Sequence, residues 1–227
     1  MVYAISDLHL GTCVDKPMDI FGKKWEGHFE KIRRDWLAKV REEDIVLLPG
    51  DFSWAMTLSE VKADLDAVAA LPGKKVILKG NHDYWWQSLS KVKAVLPPDF
   101  YVLQYDVVRI GKYLFCGSRG WTTESEAEED KKIYDREVIR LELSLKEMAK
   151  VREEGDVVIG MTHFPPFDLT MEPTPVTELF LKYGVEKVVY GHLHGNVYAK
   201  KKVFLQNATY YLASCDLVDF ALVTLCE

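Results

Sequence analysis

The sequence lacks an apolar run long enough to cross a membrane. Its longest uninterrupted apolar stretches, such as residues 45–48 and 157–159, are far shorter than the roughly 18 residues that a membrane-spanning helix needs. The start of the chain also lacks a basic stretch and an apolar signal core, and it runs directly into a strand-like segment. We therefore expect neither a membrane span nor export.

Cysteine is sparse and follows no recognisable pattern. The four cysteines are Cys13, Cys116, Cys215 and Cys226. They form no CxxC pair, so the sequence indicates neither a zinc knuckle nor a disulfide framework. A reducing compartment suits such a chain best, and we expect a cytoplasmic location.

The sequence has fewer basic than acidic residues. Lysine and arginine number 29 against 35 acidic residues, which gives a net charge of -6. Broad electrostatic binding to nucleic acid relies on clustered basic residues, so the sequence carries no strong nucleic-acid-binding signal. A negatively charged ligand would need local positive charge, which bound metal ions could supply.

No internal repeat, low-complexity tract or linker divides the chain, and 227 residues can fill one α/β domain. We therefore predict a single domain, residues 1–227. In the first part, β-branched runs alternate with segments of helical period. The predicted strands are 2–6, 45–48 and 75–79, and the predicted helices are 25–40, 59–71 with Ser59 as its N-cap, and 87–96.

The pattern changes after the third helix. Residues 101–103, 107–110 and 113–117 look like antiparallel strands, the last two joined by a tight hairpin at Gly111-Lys112. A long helix over 124–154, closed by Gly155, is followed by a strand at 157–162, a helix at 176–183, a strand at 187–190 and several antiparallel strands within 198–225. We predict a mixed α/β (α+β) fold with two sheets and outer helices.

Histidine is concentrated at the ends of predicted strands. Five of the six histidines lie in polar clusters there, which are Asp7-Leu8-His9, Gly80-Asn81-His82-Asp83, Thr162-His163 and Gly191-His192-Leu193-His194. Asp51 follows Gly50 and a further strand in the same way. Side chains at strand carboxyl ends can meet in one crevice. The i, i+2 spacing predicts that Asp7 and His9 share one side of an extended segment, as do His192 and His194.

These clusters offer oxygen and nitrogen donors without thiolate. Such a set suits Mn, Fe or Zn, and a shared carboxylate could hold two ions. Each cluster alone also has an ordinary explanation. An Asp-x-His pair can be a hydrogen-bonded cap, Asn81 can be a turn residue in the left-handed region, and Asp51 can cap the next helix. Their recurrence at successive strand ends favours a metal site.

In this order, the clusters resemble the motifs of the calcineurin-like metallophosphoesterase superfamily, over residues 6–194. The resemblance implies a four-layer αββα sandwich of two mixed β-sheets flanked by helices, with the metal site at the C-terminal ends of the strands. It implies two divalent metal ions. One would be held by Asp7, His9 and His194, the other by Asn81, His163 and His192, and both by Asp51.

The resemblance also implies the reaction, which is hydrolysis of a phosphate ester of a small phosphorylated substrate. A hydroxide held between the metal ions would attack phosphorus in line. His82 would protonate or stabilise the leaving oxygen. His28 lies in a helical stretch with no partner at ligand spacing, so we leave it out of the site.

The chain departs from the protein Ser/Thr phosphatase branch of this superfamily. The GDxxDRG motif of that branch contains a second Asp and an Arg, and the segment from Gly50 to Met56 has neither. This argues against a phosphoprotein phosphatase of that type and favours a phosphodiester or nucleotide-type substrate. Arg119 could supply the missing phosphate contact through its guanidinium, or it could form a surface salt bridge.

Three further interpretations stay open from the sequence. Tryptophans 54, 85, 86 and 121 could stack on a planar substrate group or simply pack under loops. Residues 15–24 could form a substrate-facing lid or an inert connection. The chain could also be a catalytically silent scaffold for protein binding. Such chains usually lose ligands or the catalytic histidine, and all of these residues are present here, which favours an enzyme.

Overall fold

Two β-sheets form the centre of the computed structural model, which describes residues 1–122, 125, 127–167, 170–195 and 199–226. The first sheet contains β1 (Val2–Ala4), β2 (Ile45–Leu48), β3 (Lys74–Leu78), β4 (Phe100–Leu103) and β11 (Val223–Cys226). Its order is β11-β1-β2-β3-β4. Strands β1 to β4 are parallel, and β11 is antiparallel to β1.

The second sheet has the order β5-β6-β7-β8-β10-β9. Its strands are β5 (Val107–Ile110), β6 (Tyr113–Gly117), β7 (Val157–Met161), β8 (Lys187–Tyr190), β9 (Lys202–Leu205) and β10 (Ala208–Leu212). The four inner strands are parallel, and the edge strands β5 and β9 are each antiparallel to their neighbour. Both sheets therefore direct the carboxyl ends of several neighbouring strands toward one edge.

Helices cover the outer face of each sheet. They are α1 (His28–Lys39), α2 (Leu58–Ala69), α3 (Leu89–Val95), α4 (Glu128–Val151) and α5 (Pro175–Lys182), with two short 3-10 helices at Met18–Phe21 and Lys23–Trp25. No helix in these described ranges is long and apolar enough to span a membrane.

Strand β2 shows how the layers are built. Its alternate residues point to opposite faces of the sheet. Ile45 and Leu47 belong to the apolar core between the two sheets. Val46 and Leu48 belong to the core under α1, α2 and α3. A third core lies between the second sheet and helices α4 and α5, so the predicted αββα sandwich is confirmed.

The structure corrects several local predictions. Helix α2 is capped by Thr57 and not by Ser59, because Glu60 three residues after Thr57 completes a capping box. Helix α4 begins at Glu128, whereas position 124, where we predicted its start, lies outside the described residues, as does position 198.

Two predicted strand pairings are also wrong. Strand β4 is parallel to β3 and lies in the first sheet, because α3 forms a crossover that returns the chain in the same direction. Strand β10 pairs in parallel with β8 and only its other neighbour, β9, is antiparallel. The predicted β5–β6 hairpin is confirmed, with its turn at Gly111-Lys112.

Candidate metal centre

The loops that follow five parallel strands meet at one edge of the sandwich. Strands β1, β2 and β3 come from the first sheet, and β7 and β8 come from the second. Their loops carry Asp7, His9, Asp51, Asn81, His82, His163, His192 and His194. The sequence prediction that these strand ends form one crevice therefore describes the fold correctly.

A first group of donor atoms consists of Asp7, His9 and His194, which the structure brings close enough to hold a metal ion. The Nε2 atoms of His9 and His194 are 3.3 Å apart. The Nε2 atom of His194 is also 3.4 Å from Oδ1 of Asp7. Asp7 and His9 are buried, and His194 is partly exposed.

A second group consists of Asn81, His163 and His192. The amide oxygen of Asn81 lies 2.6 Å from Nε2 of His163 and 3.0 Å from Nδ1 of His192. The two imidazole nitrogens are 3.2 Å apart. Asn81 does not have a positive φ, so the alternative that it serves as a left-handed turn residue is wrong.

Asp51 lies between the two groups. Its Oδ2 atom is 3.8 Å from Nε2 of His9 in the first group. The same atom is 3.5 Å from Nε2 of His163 in the second. The alternative that Asp51 caps the next helix is also wrong, because Thr57 caps α2.

Hydrogen bonds on the far side of two imidazoles fix which nitrogen faces the centre. Nδ1 of His163 donates to the carbonyl oxygen of Pro49 at 3.0 Å. Nδ1 of His194 donates to Oδ1 of Asp216 at 2.8 Å. A neutral imidazole that donates from Nδ1 keeps a lone pair on Nε2, and burial keeps His163 neutral by lowering its pKa. Burial would also lower the pKa of His194, but its hydrogen bonds to Asp216 and Asp7 raise that pKa to about 10. Nε2 of His194 would therefore bind a metal ion only after losing its proton.

The charges at this centre also suit a cation. Burial lowers the pKa of His9 to about 3 and that of His192 to about 4, so both rings are neutral donors. Burial, followed by the nearby charges of Asp7 and Asp83, raises the pKa of Asp51. Burial would also raise the pKa of Asp7, but the hydrogen bond from His194 and the neighbouring imidazoles lower it overall. Crowded carboxylates and neutral imidazoles fit a divalent ion.

Left-handed backbone occurs at four of these residues. The φ angles are 59° at Asp7, 45° at His9, 51° at Asp51 and 72° at His192. Such conformations cost of order 1–3 kcal/mol each and gather at functional sites. The prediction that the Asp-x-His and His-x-His segments are extended is therefore wrong, although their side chains do converge.

Two glycines allow backbone and carboxylate to approach closely. A Cβ atom on Gly80 would lie 2.1 Å from Oδ1 of Asp51. A Cβ atom on Gly191 would lie 2.2 Å from Oγ of Ser6 and 2.4 Å from Oδ2 of Asp7. Any side chain at either position would displace a carboxylate of the centre.

The site predicted from the sequence leaves out three residues that support the centre. Asp83 is fully buried and accepts hydrogen bonds from the backbone of both the Asp51 and the Asn81 loops. Asp216 holds His194 from a loop after β10. Nε2 of His28 donates to the carbonyl oxygen of Leu8, between Asp7 and His9, at 2.9 Å. Of the three, only Asp83 belongs to one of the sequence clusters, which is Gly80-Asn81-His82-Asp83.

His82 lies at the mouth of the centre. Its backbone N–H donates to Oδ1 of Asp51 at 2.8 Å. Its half-buried ring lies 5.8 Å from that of His9 and 4.8 Å from that of Trp54. It has no hydrogen bond to Asp83 among the described contacts, because Asp83 is directed at backbone N–H groups and Trp85.

A mainly apolar cavity of about 320 Å³ opens beside His82. It is lined by His9, Met18, Phe21, Trp25, Trp54, His82, His194 and Gly195. Part of segment 15–24 therefore lines the cavity beside the centre, through Met18 and Phe21. Trp54 faces this cavity, and its ring stacks on His9 at 4.7 Å.

The other residues singled out from the sequence have structural partners. Trp85 and Trp86 are buried, and the indole of Trp121 donates to Asp130 at 2.8 Å. The side chain of Arg119 is 20% exposed, and its Nη2 lies 3.7 Å from Oε1 of buried Glu137. Arg119 therefore forms a salt bridge, as one of the two alternatives supposed, but with a buried partner and not at the exposed surface.

Comparison with known proteins agrees with this fold. The chain is similar over 98% of its length to a protein of unknown function from Aquifex aeolicus, at 19% identity, a TM-score of 0.53 and 94% coverage of that chain. It is similar over 95% of its length to the sulfate thiohydrolase SoxB of Thermus thermophilus, at 14% identity, a TM-score of 0.51 and 51% coverage of that chain. No curated protein sequence matches it. The family model for calcineurin-like phosphoesterases matches residues 1–196, and the chain belongs to this family.

Proposed function

We propose that this protein is a dinuclear metal-dependent phosphohydrolase. Asp7, His9 and His194 would hold one divalent ion, Asn81, His163 and His192 the other, and Asp51 both. The observation that carries the proposal is the position of Asp51, whose Oδ2 atom lies within 3.8 Å of one donor group and 3.5 Å of the other. The oxygen and nitrogen donors suit Mn, Fe or Zn.

Two such ions would supply Lewis-acid charge for the phosphoryl oxygens and a nucleophile at neutral pH. The chain's own residues would orient the ester. His82, at the mouth of the centre, would hold a proton toward the leaving oxygen. The hydrogen bond from the backbone N–H of His82 to Oδ1 of Asp51 keeps the imidazole beside the donor groups.

The proposed substrate is a small phosphorylated molecule, of phosphodiester or nucleotide type. The absence of the GDxxDRG residues between Gly50 and Met56 argues against a phosphoprotein. The apolar cavity beside His82, with Trp54 and Phe21 in its lining, has room for an organic leaving group. Arg119 lies outside the lining of this cavity, and its guanidinium would bind a phosphate group of the substrate.

The complete donor set supports an enzyme over a silent scaffold. Members that serve only as scaffolds would have no need for buried, convergent donors or for left-handed backbone at Asp7, His9 and Asp51. We also propose that residues 1–227 act as one domain and that the protein is cytoplasmic.

The test is hydrolysis of p-nitrophenyl phosphate and bis-p-nitrophenyl phosphate by the purified protein, before and after chelation and after Mn is restored. We expect activity to disappear on chelation and to return with Mn. The preferred ester identifies the protein as a monoesterase or a diesterase. Activity that does not change on chelation would contradict the proposal. Full metal occupancy without hydrolysis of either ester, or of a wider panel of esters, would favour the scaffold.

A further inference from the structure

A second cavity, of about 250 Å³, is lined by a concentration of positive charge. Its lining includes Lys79, Arg119, Arg136 and Arg140, and none of the described residues that line it is acidic. We call these four residues the cationic pocket. The chain as a whole has a net charge of -6, so four basic side chains lining one cavity form a local positive region on a negatively charged protein.

The four cations come from three separate elements. Lys79 follows β3, Arg119 follows β6, and Arg136 and Arg140 are one turn apart on α4. Like charges at i and i+4 destabilise an isolated helix. The pocket therefore adds two further cations to a like-charged pair on α4.

One carboxylate partly balances these charges. Buried Glu137 places Oε1 2.6 Å from Nη1 of Arg140 and 3.7 Å from Nη2 of Arg119. A single carboxylate shared by two guanidinium groups leaves a surplus of positive charge in the pocket. The Nε atom of Arg119 is buried and has no hydrogen-bond partner among the described residues.

Aromatic rings hold two of the guanidinium groups in place. The guanidinium of Arg140 lies over the ring of Tyr105 at 4.5 Å. That of Arg119 lies over the ring of Trp121 at 4.6 Å. A stacked guanidinium loses less freedom when it binds a ligand, so both groups are preorganised for an anion.

The cationic pocket adjoins the candidate metal centre. Lys79 is two residues before Asn81. The backbone carbonyl of Arg119 accepts a hydrogen bond from the N–H of His163 at 2.9 Å. The segments that carry Lys79 and Arg119 are therefore joined directly to loops that carry the donor groups of the centre.

We propose that the cationic pocket binds a phosphate group other than the one hydrolysed at the metal centre. Guanidinium groups bind phosphate oxygens in bidentate fashion, and a phosphate dianion would neutralise the surplus charge. The phosphate could be a second one on the substrate or free inorganic phosphate. The binding chemistry is the same for both, and the experiment distinguishes them.

The first test is calorimetric titration of inorganic phosphate into metal-free protein, from which the chelator has been removed by desalting. It requires no catalysis, so its outcome is independent of the proposed function. We expect saturable binding that weakens roughly tenfold in Arg136→Gln, because a charged hydrogen bond contributes about that factor. Arg136 is exposed, so this variant should fold.

The matched control is Lys132→Gln, which removes the same charge from the same helix. Lys132 is 72% exposed, pairs with Glu128 and does not line the pocket. Its phosphate affinity should stay within about twofold of the wild type, since exposed charges act weakly at a distance. Absence of saturable binding, or equal weakening in both variants, would overturn the proposal.

Kinetics identify the source of the phosphate, and this step rests on the proposed function. We compare kcat/KM for an ester with a second phosphate against kcat/KM for p-nitrophenyl phosphate. If the pocket binds a substrate phosphate, Arg136→Gln lowers this ratio roughly tenfold. An unchanged ratio together with weakened calorimetric binding identifies free phosphate as the ligand.

Discussion

Replacement of Asp83 by alanine should destabilise the protein more than the removal of any other single carboxylate near the centre. Asp83 is fully buried. It accepts hydrogen bonds from the backbone N–H groups of Gly80 at 2.7 Å, Asp51 at 3.0 Å, Phe52 at 2.9 Å and Ser53 at 3.3 Å. Alanine would leave these buried donors without an acceptor.

The magnitude follows from the number of donors. Each buried N–H left unsatisfied costs about 1–3 kcal/mol, so the four backbone groups alone, without the indole N–H of Trp85, give a loss of about 4 kcal/mol or more. Buried Asp64 is the comparison, because it accepts only from Thr12 N–H at 3.0 Å and from Ser53 Oγ at 2.5 Å among the described contacts. Asp64→Ala should cost about 2 kcal/mol.

Urea denaturation followed by circular dichroism measures both variants against the wild type. Similar m values would show that a shift in midpoint reports the free energy of unfolding. We expect Asp83→Ala to lose about twice as much stability as Asp64→Ala. A loss below about 2 kcal/mol in Asp83→Ala, or a loss no larger than that of Asp64→Ala, would refute the reasoning from unsatisfied donors.

Two further predictions concern the centre itself. His82→Ala should leave the metal content unchanged and lower kcat roughly 100-fold or more, as measured by elemental analysis and ester hydrolysis. Unchanged turnover would remove His82 from the mechanism. Asp216→Ala should weaken metal binding roughly 10- to 100-fold, since it frees Nδ1 of His194, as measured by competition with a chromogenic chelator. Exposed Asp219 is the control, and equal effects of the two substitutions would contradict this role for Asp216.

The sequence predicts local elements better than their pairing. Strands β2 and β8 lie at the predicted residues, because their β-branched runs carry a local signal. The direction of β4 depends instead on the path of α3 across the sheet, and that of β10 depends on its docking beside β8. Neither direction has a signal within the strand.

The same distinction applies to the candidate metal centre. The clusters around Asp7 and His192 are visible because each joins a strand end to donor side chains. Their left-handed backbone is not visible, since neither position carries the glycine that usually marks it. Asp216 and the cationic pocket depend on tertiary packing, because their partners lie on elements distant in sequence.

The central claim is that Asp51 is shared by two metal ions, and the direct measurement is metal stoichiometry of wild-type protein and Asp51→Asn after reconstitution with Mn. Asparagine preserves the size of the side chain and removes its charge, and circular dichroism verifies the fold. The account predicts two ions per chain in the wild type and no more than one in Asp51→Asn. Two ions held at wild-type affinity by Asp51→Asn, or no tightly bound ion in the wild type, would contradict it.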